Sequence, residues 1–153
     1  MGGVVVALDS FKGSLDAARA TAAVARGLRR HHSSPSVHER PVAEGGEGTL
    51  AALAAAGFTH VPVEAMDPLG RCVTTGYVHR EGVAVVELAD VSGLARLPEG
   101  GPTPATAAAS STYGTGQVIS AALDAGHHTI VVGLGGEECS EPVDRRGRGV
   151  PSQ

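Results

Sequence analysis

The chain has 153 residues, enough for one domain or two small lobes with a sizeable core, and with only 3% aromatic residues that core must be built from Ala, Val and Leu. Its formal net charge of −4 argues against nucleic acid or a polyanionic membrane as a partner. Asp9 interrupts the N-terminal apolar run before it resembles a signal peptide, and no segment approaches the roughly 20 apolar residues that span a bilayer. Cys72 and Cys139 lack metal-ligand spacing. We therefore expect a reduced, cytoplasmic protein.

The first loop of interest follows the apolar run from Val4 to Leu8, which is typical of a short buried strand. Asp9 to Ser14 places an acid, a hydroxyl and an amine close together, and the Ser14 hydroxyl is expected to cap the next helix. Open α/β sheets bind ligands at such strand-to-helix loops. Lys12 is the single lysine beside eleven arginines, which indicates either a task for a compact ammonium or an incidental loop position.

An amphipathic helix from Leu15 to His31 follows, and Val37 to Val42 is the predicted second strand. Strand, helix and strand in this order predict the start of a parallel α/β layer. The adjacent pairs His31-His32 and His127-His128 lie where helices should end. This position favours an interaction with the helix dipole over a metal site, and no metal ligand is assigned.

A second strand-to-helix loop, from Ala43 to Thr49, contains three glycines and two acids ahead of a short helix over Leu50 to Ala56. Glycine lets the backbone approach a ligand, and the free N–H groups at a helix start suit a phosphate. The loop is not a Walker motif, because no Gly-Lys-Ser/Thr follows. Both loops are expected to open on the same carboxyl edge of the layer.

After residue 57 the pattern changes to short strands, with a hairpin at Arg80-Glu81-Gly82 between the last two. The predicted strands are Phe58 to Val63, Cys72 to His79 and Val83 to Ala89. Val91 to Ser111 is rich in Pro, Gly, Ala, Ser and Thr, and predicts a long loop that is functional or mobile.

A helix over Gln117 to Ala125 and a buried strand over Thr129 to Leu134 complete the pattern. The pairs Gly114/Gly116 and Gly133/Gly135 both lack the third glycine of a dinucleotide fingerprint. The predicted fold class is α/β, with a Rossmann/flavodoxin-like parallel layer and a second, smaller α/β lobe, incomplete at the C-terminus. The predicted units are a parallel lobe over 1–60, a lobe with antiparallel strands over 61–112, a helix and strand continuing the α/β core over 113–136, and a tail over 137–153.

Several separated segments, in order, resemble the N-terminal part of the bacterial glycerate kinases, a family with its own two-lobed α/β fold. They are Asp9 to Ser14, Gly45 to Thr49, Pro68 to Gly70, Glu87 to Leu94 and Thr112 to Gly116. The resemblance runs from about residue 3 to residue 136, and departs from the family at Glu44, where the family usually has Asp. It implies ATP-dependent phosphorylation of glycerate, with ATP and Mg²⁺ as cofactors.

The candidate catalytic residues are Asp9, Lys12 and Glu47. Lys12 or Arg71 is suited to hold the glycerate carboxylate. Asp9, Glu44 and Glu47 are the candidates for the carboxylate beside the attacking hydroxyl, and which acid is base or metal ligand stays open. The full set of substrate- or phosphate-binding candidates is Ser10, Gly13, Ser14, Glu44, Gly45, Gly46, Gly48, Thr49, Arg71 and Thr115.

The sequence after Gly136 departs from the family, which expects small residues and further glycines there. Seven of the last 17 residues are charged, against 21 of the preceding 136, which predicts a disordered tail. Arg145-Arg146-Gly147-Arg148 also matches a displaced reading of glycine codons, so a frameshift near residue 136 and a naturally short polar tail are both hypotheses. Translating the neighbouring frame of the gene distinguishes them.

Three functions are therefore compatible with the sequence. The first is a truncated glycerate kinase that uses glycerate and ATP as its small-molecule partners. The second is a non-catalytic phosphate- or nucleotide-binding module, and the third is a half-subunit that needs a partner chain. The sequence does not indicate the oligomeric state or which glycerate hydroxyl is phosphorylated.

Overall fold

A computed structural model describes residues 3–11, 14–30, 36–99 and 101–135, and shows a mixed α/β fold with parallel strands, as the sequence predicts. Lys12, Gly13, the His31-His32 pair and the tail after residue 135 lie outside these residues. The elements, in chain order, are β1 (Gly3–Val6), α1 (Ala17–Arg29), β2 (Ser36–Glu39), α2 (Thr49–Ala55), β3 (Thr59–Met66), β4 (Cys72–Arg80), β5 (Val83–Glu87), α3 (Leu88–Ser92), a 3₁₀ turn (Leu94–Arg96), α4 (Pro104–Ala109), α5 (Tyr113–Asp124) and β6 (Thr129–Gly133).

The parallel start of the fold is confirmed, because β1 and β2 pair in parallel across the α1 crossover, with Val4 opposite Val37. Helix α1 begins two residues later than expected. Its cap is Asp16, whose carboxylate accepts the backbone N–H of Arg19 at 2.7 Å, whereas the Ser14 hydroxyl donates to the Phe11 carbonyl. The prediction that Ser14 caps this helix is therefore wrong.

The remaining strands form a four-stranded sheet in the order β3-β4-β5-β6. The pairs β3·β4 and β4·β5 are antiparallel, as the predicted hairpin requires, and β6 lies parallel to β5. Glu81 (φ 52°) and Gly82 (φ 83°) form the two-residue turn between β4 and β5, which confirms the hairpin. The division of the chain into units at residues 60, 112 and 136 stays a prediction.

Helices cover both faces of this sheet. Tyr77 of β4 packs in the cluster that α5 completes with Val118 and Ala122, whereas the next residue, Val78, packs against Leu50 of α2. Consecutive strand residues point to opposite faces, so α5 and α2 lie on opposite sides. This placement brings the start of α2 beside the carboxyl end of β5.

The segment from Val91 to Ser111 is not the single long loop that its composition predicts. Strand β5 ends at Glu87, and α3, the 3₁₀ turn and α4 follow. Leu88 and Val91 of α3 are buried, and this packing stabilises a helix that propensity alone does not indicate. Among the described residues, no helix is both long enough and apolar enough to cross a membrane.

Candidate active site

The two loops singled out in the sequence meet at one cleft of about 950 Å³. The first loop contributes Asp9 and Ser10, whose backbone N–H donates to the Asp9 carboxylate at 2.7 Å. The second loop contributes Glu44, Gly46, Glu47 and Gly48. The structure therefore brings together six of the predicted site residues. Lys12 and Gly13 complete the first loop outside the described residues.

A third wall of the cleft, whose residues are not among the predicted site residues, comes from the end of β5 and the segment after it. It includes Glu87, Asp90 and Arg96, and His60 of β3 also lines the cleft. Glu87 did carry a usable signal, because the family-like segment Glu87 to Leu94 begins with it, although the predicted strand continued to Ala89 and hid its position at the end of β5. Arg96 carried none, since it lies in a segment interpreted as a loop.

Glu87 binds the start of α2 directly. Its two carboxylate oxygens accept the backbone N–H groups of Gly48 at 3.0 Å and Leu50 at 2.9 Å. Burial raises the pKa of Glu87, although these two amides act in the opposite direction, and the nearby Asp90 and Glu47 carboxylates raise it further. The amide of Gly48, a predicted phosphate-binding residue, and that of Leu50 are therefore already occupied by a protein carboxylate.

Further hydrogen bonds and backbone packing against β6 also hold the glycine loop in place. The Thr49 hydroxyl and backbone N–H both donate to the Gly46 carbonyl, at 2.7 and 3.1 Å. Gly45 (φ +85°) packs on the end of β6, where a Cβ on Gly133 would lie 2.4 Å from the Gly45 carbonyl oxygen. The N–H of Gly135 donates to that same oxygen at 3.1 Å. These glycines thus permit close backbone packing, and Thr49 and Gly45 do not line the cleft.

Arg71 stabilises the turn between β3 and β4. Its Nε donates to the buried Asp67 carboxylate at 2.5 Å, and a terminal nitrogen donates to the Arg96 carbonyl oxygen. Burial tends to raise the pKa of Asp67, but the Arg71 contacts and the Leu69 backbone N–H outweigh it and lower this pKa overall. Arg71 does not line the cleft, so its role in holding the substrate carboxylate stays a prediction.

Thr115 and Ser14 also lie apart from this cleft. Thr115 is buried in α5 and shares a hydrogen bond of 2.8 Å with the hydroxyl of Ser92. Ser14 is exposed, and lines a smaller neighbouring cavity of about 360 Å³ with Phe11 and Val42. Their predicted roles in binding substrate or phosphate stay predictions.

The described residues fit the two predicted cofactors unequally. Mg²⁺ is usually held by one or two carboxylates together with substrate phosphates, and Asp9, Glu44 and Glu47 supply carboxylates along the cleft. No group of three or more acidic, His or Cys side chains in the described ranges is arranged to hold a metal by itself. The phosphates of ATP require donors and cations, and the Gly48 and Leu50 amides are engaged by Glu87. The described part of the cleft therefore offers carboxylates suited to Mg²⁺, whereas the Gly48 and Leu50 amides are not free for the nucleotide phosphates.

The fold and the cleft define an α/β protein whose candidate ligand site lies at strand-to-helix loops. A model of the glycerate kinase family matches residues 4–141, and the chain belongs to this family.

Individual relatives agree with the family match. The chain is 37% identical to the glycerate kinase of Halalkalibacterium halodurans, in an alignment that covers 92% of this chain and 37% of the relative. It is 34% identical to the glycerate 2-kinase of Escherichia coli over 90% of this chain and 36% of the relative. A crystal structure of a protein assigned as glycerate kinase 2 from Salmonella typhimurium LT2 superposes with a TM-score of 0.68 and 36% identity, over 88% of this chain and 37% of that one. The chain thus spans little more than a third of the length of these relatives.

Proposed function

We propose that the chain carries out ATP-dependent phosphorylation of glycerate to phosphoglycerate. The observation that carries the proposal is the meeting of the two family loops at one cleft, with Asp9 on one side and Glu44 and Glu47 on the other. Phosphoryl transfer depends mainly on positioning and on charge stabilisation, which a cleft between fixed loops provides. A cytoplasmic location is part of the same proposal.

The acids in the cleft divide into two groups by their contacts. Both oxygens of Glu87 accept backbone N–H groups, so Glu87 holds the glycine loop in place and is a positioning residue. Asp9, Glu44 and Glu47 remain as the groups suited to orient the attacking hydroxyl and take its proton, or to ligate Mg²⁺. ATP, when bound, supplies the phosphoryl group, and Mg²⁺ neutralises charge on the phosphates. In this proposal Lys12, in the same loop as Asp9, contributes the cation that the phosphates require.

The half-subunit is the second candidate, and two observations favour it. The chain spans only 37% of the Halalkalibacterium relative. Within the described ranges, β1 and β2 pair only with each other, and Val5 of β1 is 63% exposed, whereas parallel sheets are normally covered on both faces. A simple phosphate-binding module is less well supported, because Glu87 occupies the amides that would serve it.

The test is a turnover assay with purified chain, ATP, Mg²⁺ and D-glycerate, in which phosphoglycerate is detected by ³¹P NMR. We expect turnover that is lost in Lys12→Ala and Glu47→Gln and kept in Glu99→Gln, an exposed acid away from the cleft. Turnover that appears only when the remaining part of a full-length relative is added supports the half-subunit. ATP binding without turnover under either condition supports the module. A chain that neither binds nor phosphorylates D-glycerate with or without the added part refutes the proposal.

A further inference from the structure

Arg96 is a cationic side chain in the wall of the cleft, and the surrounding residues fix its position. Its Nε donates to the Asp90 carbonyl oxygen at 2.6 Å, and Nη2 donates to the Asp90 carboxylate at 3.2 Å. The other carboxylate oxygen of Asp90 accepts the Thr75 hydroxyl at 2.5 Å. Arg71 donates to the Arg96 carbonyl oxygen. The guanidinium is therefore preorganised before a ligand arrives.

The charges around Arg96 give the cleft a polarity. Among the described residues that line it, Arg96 is the one Lys or Arg side chain. The acids that line the cleft are Asp9, Glu44, Glu47, Glu87 and Asp90. An anionic ligand group is repelled along most of the cleft, and Arg96, although paired with Asp90, is the one Lys or Arg among the described lining residues that can attract it. Within the same described residues, Nη1 of Arg96 has no hydrogen-bond partner, so the guanidinium keeps a donor for a ligand.

We infer that Arg96 binds the carboxylate of the hydroxyacid substrate, which directs the substrate hydroxyls toward the acidic part of the cleft. The identity of that hydroxyacid as glycerate rests on the proposed function. A guanidinium forms directional, charge-assisted hydrogen bonds to a carboxylate, and its charge persists at any physiological pH. Arg71 then acts as a positioning residue, because it contacts the backbone of Arg96 and does not line the cleft.

The experiment compares an acid with its neutral amide. D-glycerate and D-glyceramide are titrated calorimetrically into the wild-type chain, Arg96→Gln, Arg96→Lys and the control Arg26→Gln, which removes an exposed arginine from α1. A hydrogen-bonded charge pair is worth about 1.5–3 kcal/mol, so we expect the wild type and the control to prefer the acid by roughly 10- to 100-fold. Arg96→Gln should lose this preference while it keeps its glyceramide affinity, and Arg96→Lys should retain part of the preference.

A second measurement does not depend on the folding of any variant. The ¹⁵N signals of the Arg96 guanidinium in the wild type should shift when D-glycerate is added and stay in place with glyceramide. An unchanged acid preference in Arg96→Gln, or unmoved guanidinium signals at saturating D-glycerate, overturns the inference and leaves the proposed function intact. Arg96-dependent binding of another hydroxyacid, such as lactate, without phosphorylation of glycerate supports the inference and contradicts the proposed function. A wild type that binds none of these acids overturns the inference.

Discussion

The close contact between α5 and β3 makes a sharp prediction about two glycines in one helix. A Cβ on Gly114 would lie 1.7 Å from the Met66 carbonyl oxygen, whereas ordinary contact begins at 3.4 Å. Gly114→Ala must therefore displace the start of α5 by about 1.7 Å. Gly116, two residues later in α5, has nothing within 4 Å of its would-be Cβ. The same substitution should therefore have opposite effects at the two positions.

The displacement loosens the packing of Val118 and Ala122, both 0% exposed, and strains the hydrogen bond of 2.9 Å from the Met66 N–H to Gln117. Overpacking a core typically costs 1–3 kcal/mol, and a clash with backbone belongs at the upper end, so we expect a loss of about 3 kcal/mol. Gly116→Ala should gain about 0.5–1 kcal/mol from helix propensity. With a urea slope of about 2 kcal/mol/M, the midpoints should separate by roughly 1.5–2 M in unfolding followed by circular dichroism. Equal midpoints would show that α5 does not pack this tightly on β3.

Three further predictions concern single carboxylates. The folded-state pKa of Glu87 is raised, so its contribution to stability is lost as pH rises through that pKa. The unfolding free energy of the wild type should therefore fall relative to that of Glu87→Gln between pH 4.5 and 7. Parallel curves for the two proteins would contradict this. The pKa of Asp67 is lowered, so its contribution to stability is present above pH 4 and lost in acid. Asp67→Asn should lower the unfolding free energy by about 1 kcal/mol at pH 7. In urea titrations at each pH, this difference from the wild type should shrink as pH falls below 4. Asp16→Ala should remove about 1 kcal/mol of unfolding free energy through the lost cap, and Ser14→Ala should change it by less than about 0.5 kcal/mol.

The sequence predicted those parts of the fold whose cause is local. The hairpin follows from Gly82, whose residue type suits the positive φ of a two-residue turn, and the ends of α2 and α5 follow from Gly57 (φ +93°) and Gly126 (φ +91°). The prediction of the α1 cap was wrong because Ser14 and Asp16, two residues apart, are both residue types that cap helices well. Only the path of the loop decides between Ser14 and Asp16.

The parts that the sequence did not predict depend on contacts between distant residues. Glu87 reaches Gly48 across 39 positions, and Ser92 meets Thr115 across 23. The pairs Gly114/Gly116 and Gly133/Gly135 resemble part of a dinucleotide fingerprint but lack its third glycine. The pair near residue 114 instead lets α5 approach β3, and the one near residue 133 lets β6 approach the glycine loop. No periodicity or spacing distinguishes a glycine that contacts a ligand from one that contacts another backbone.

These contacts determine which groups of the glycine loop are presented to the cleft. Glu87, Thr49 and Gly135 each hydrogen-bond to its backbone, so the loop presents mainly the side chains of Glu44 and Glu47 to the cleft. An acidic loop suits a hydroxyl nucleophile or Mg²⁺ and repels phosphates and carboxylates. Under the proposed function, the recognition of anionic groups has to come from side-chain cations, with Arg96 at one wall and Lys12 in the first loop as the candidates. Under the same proposal, these cations replace the lysine that follows the glycines of a Walker motif.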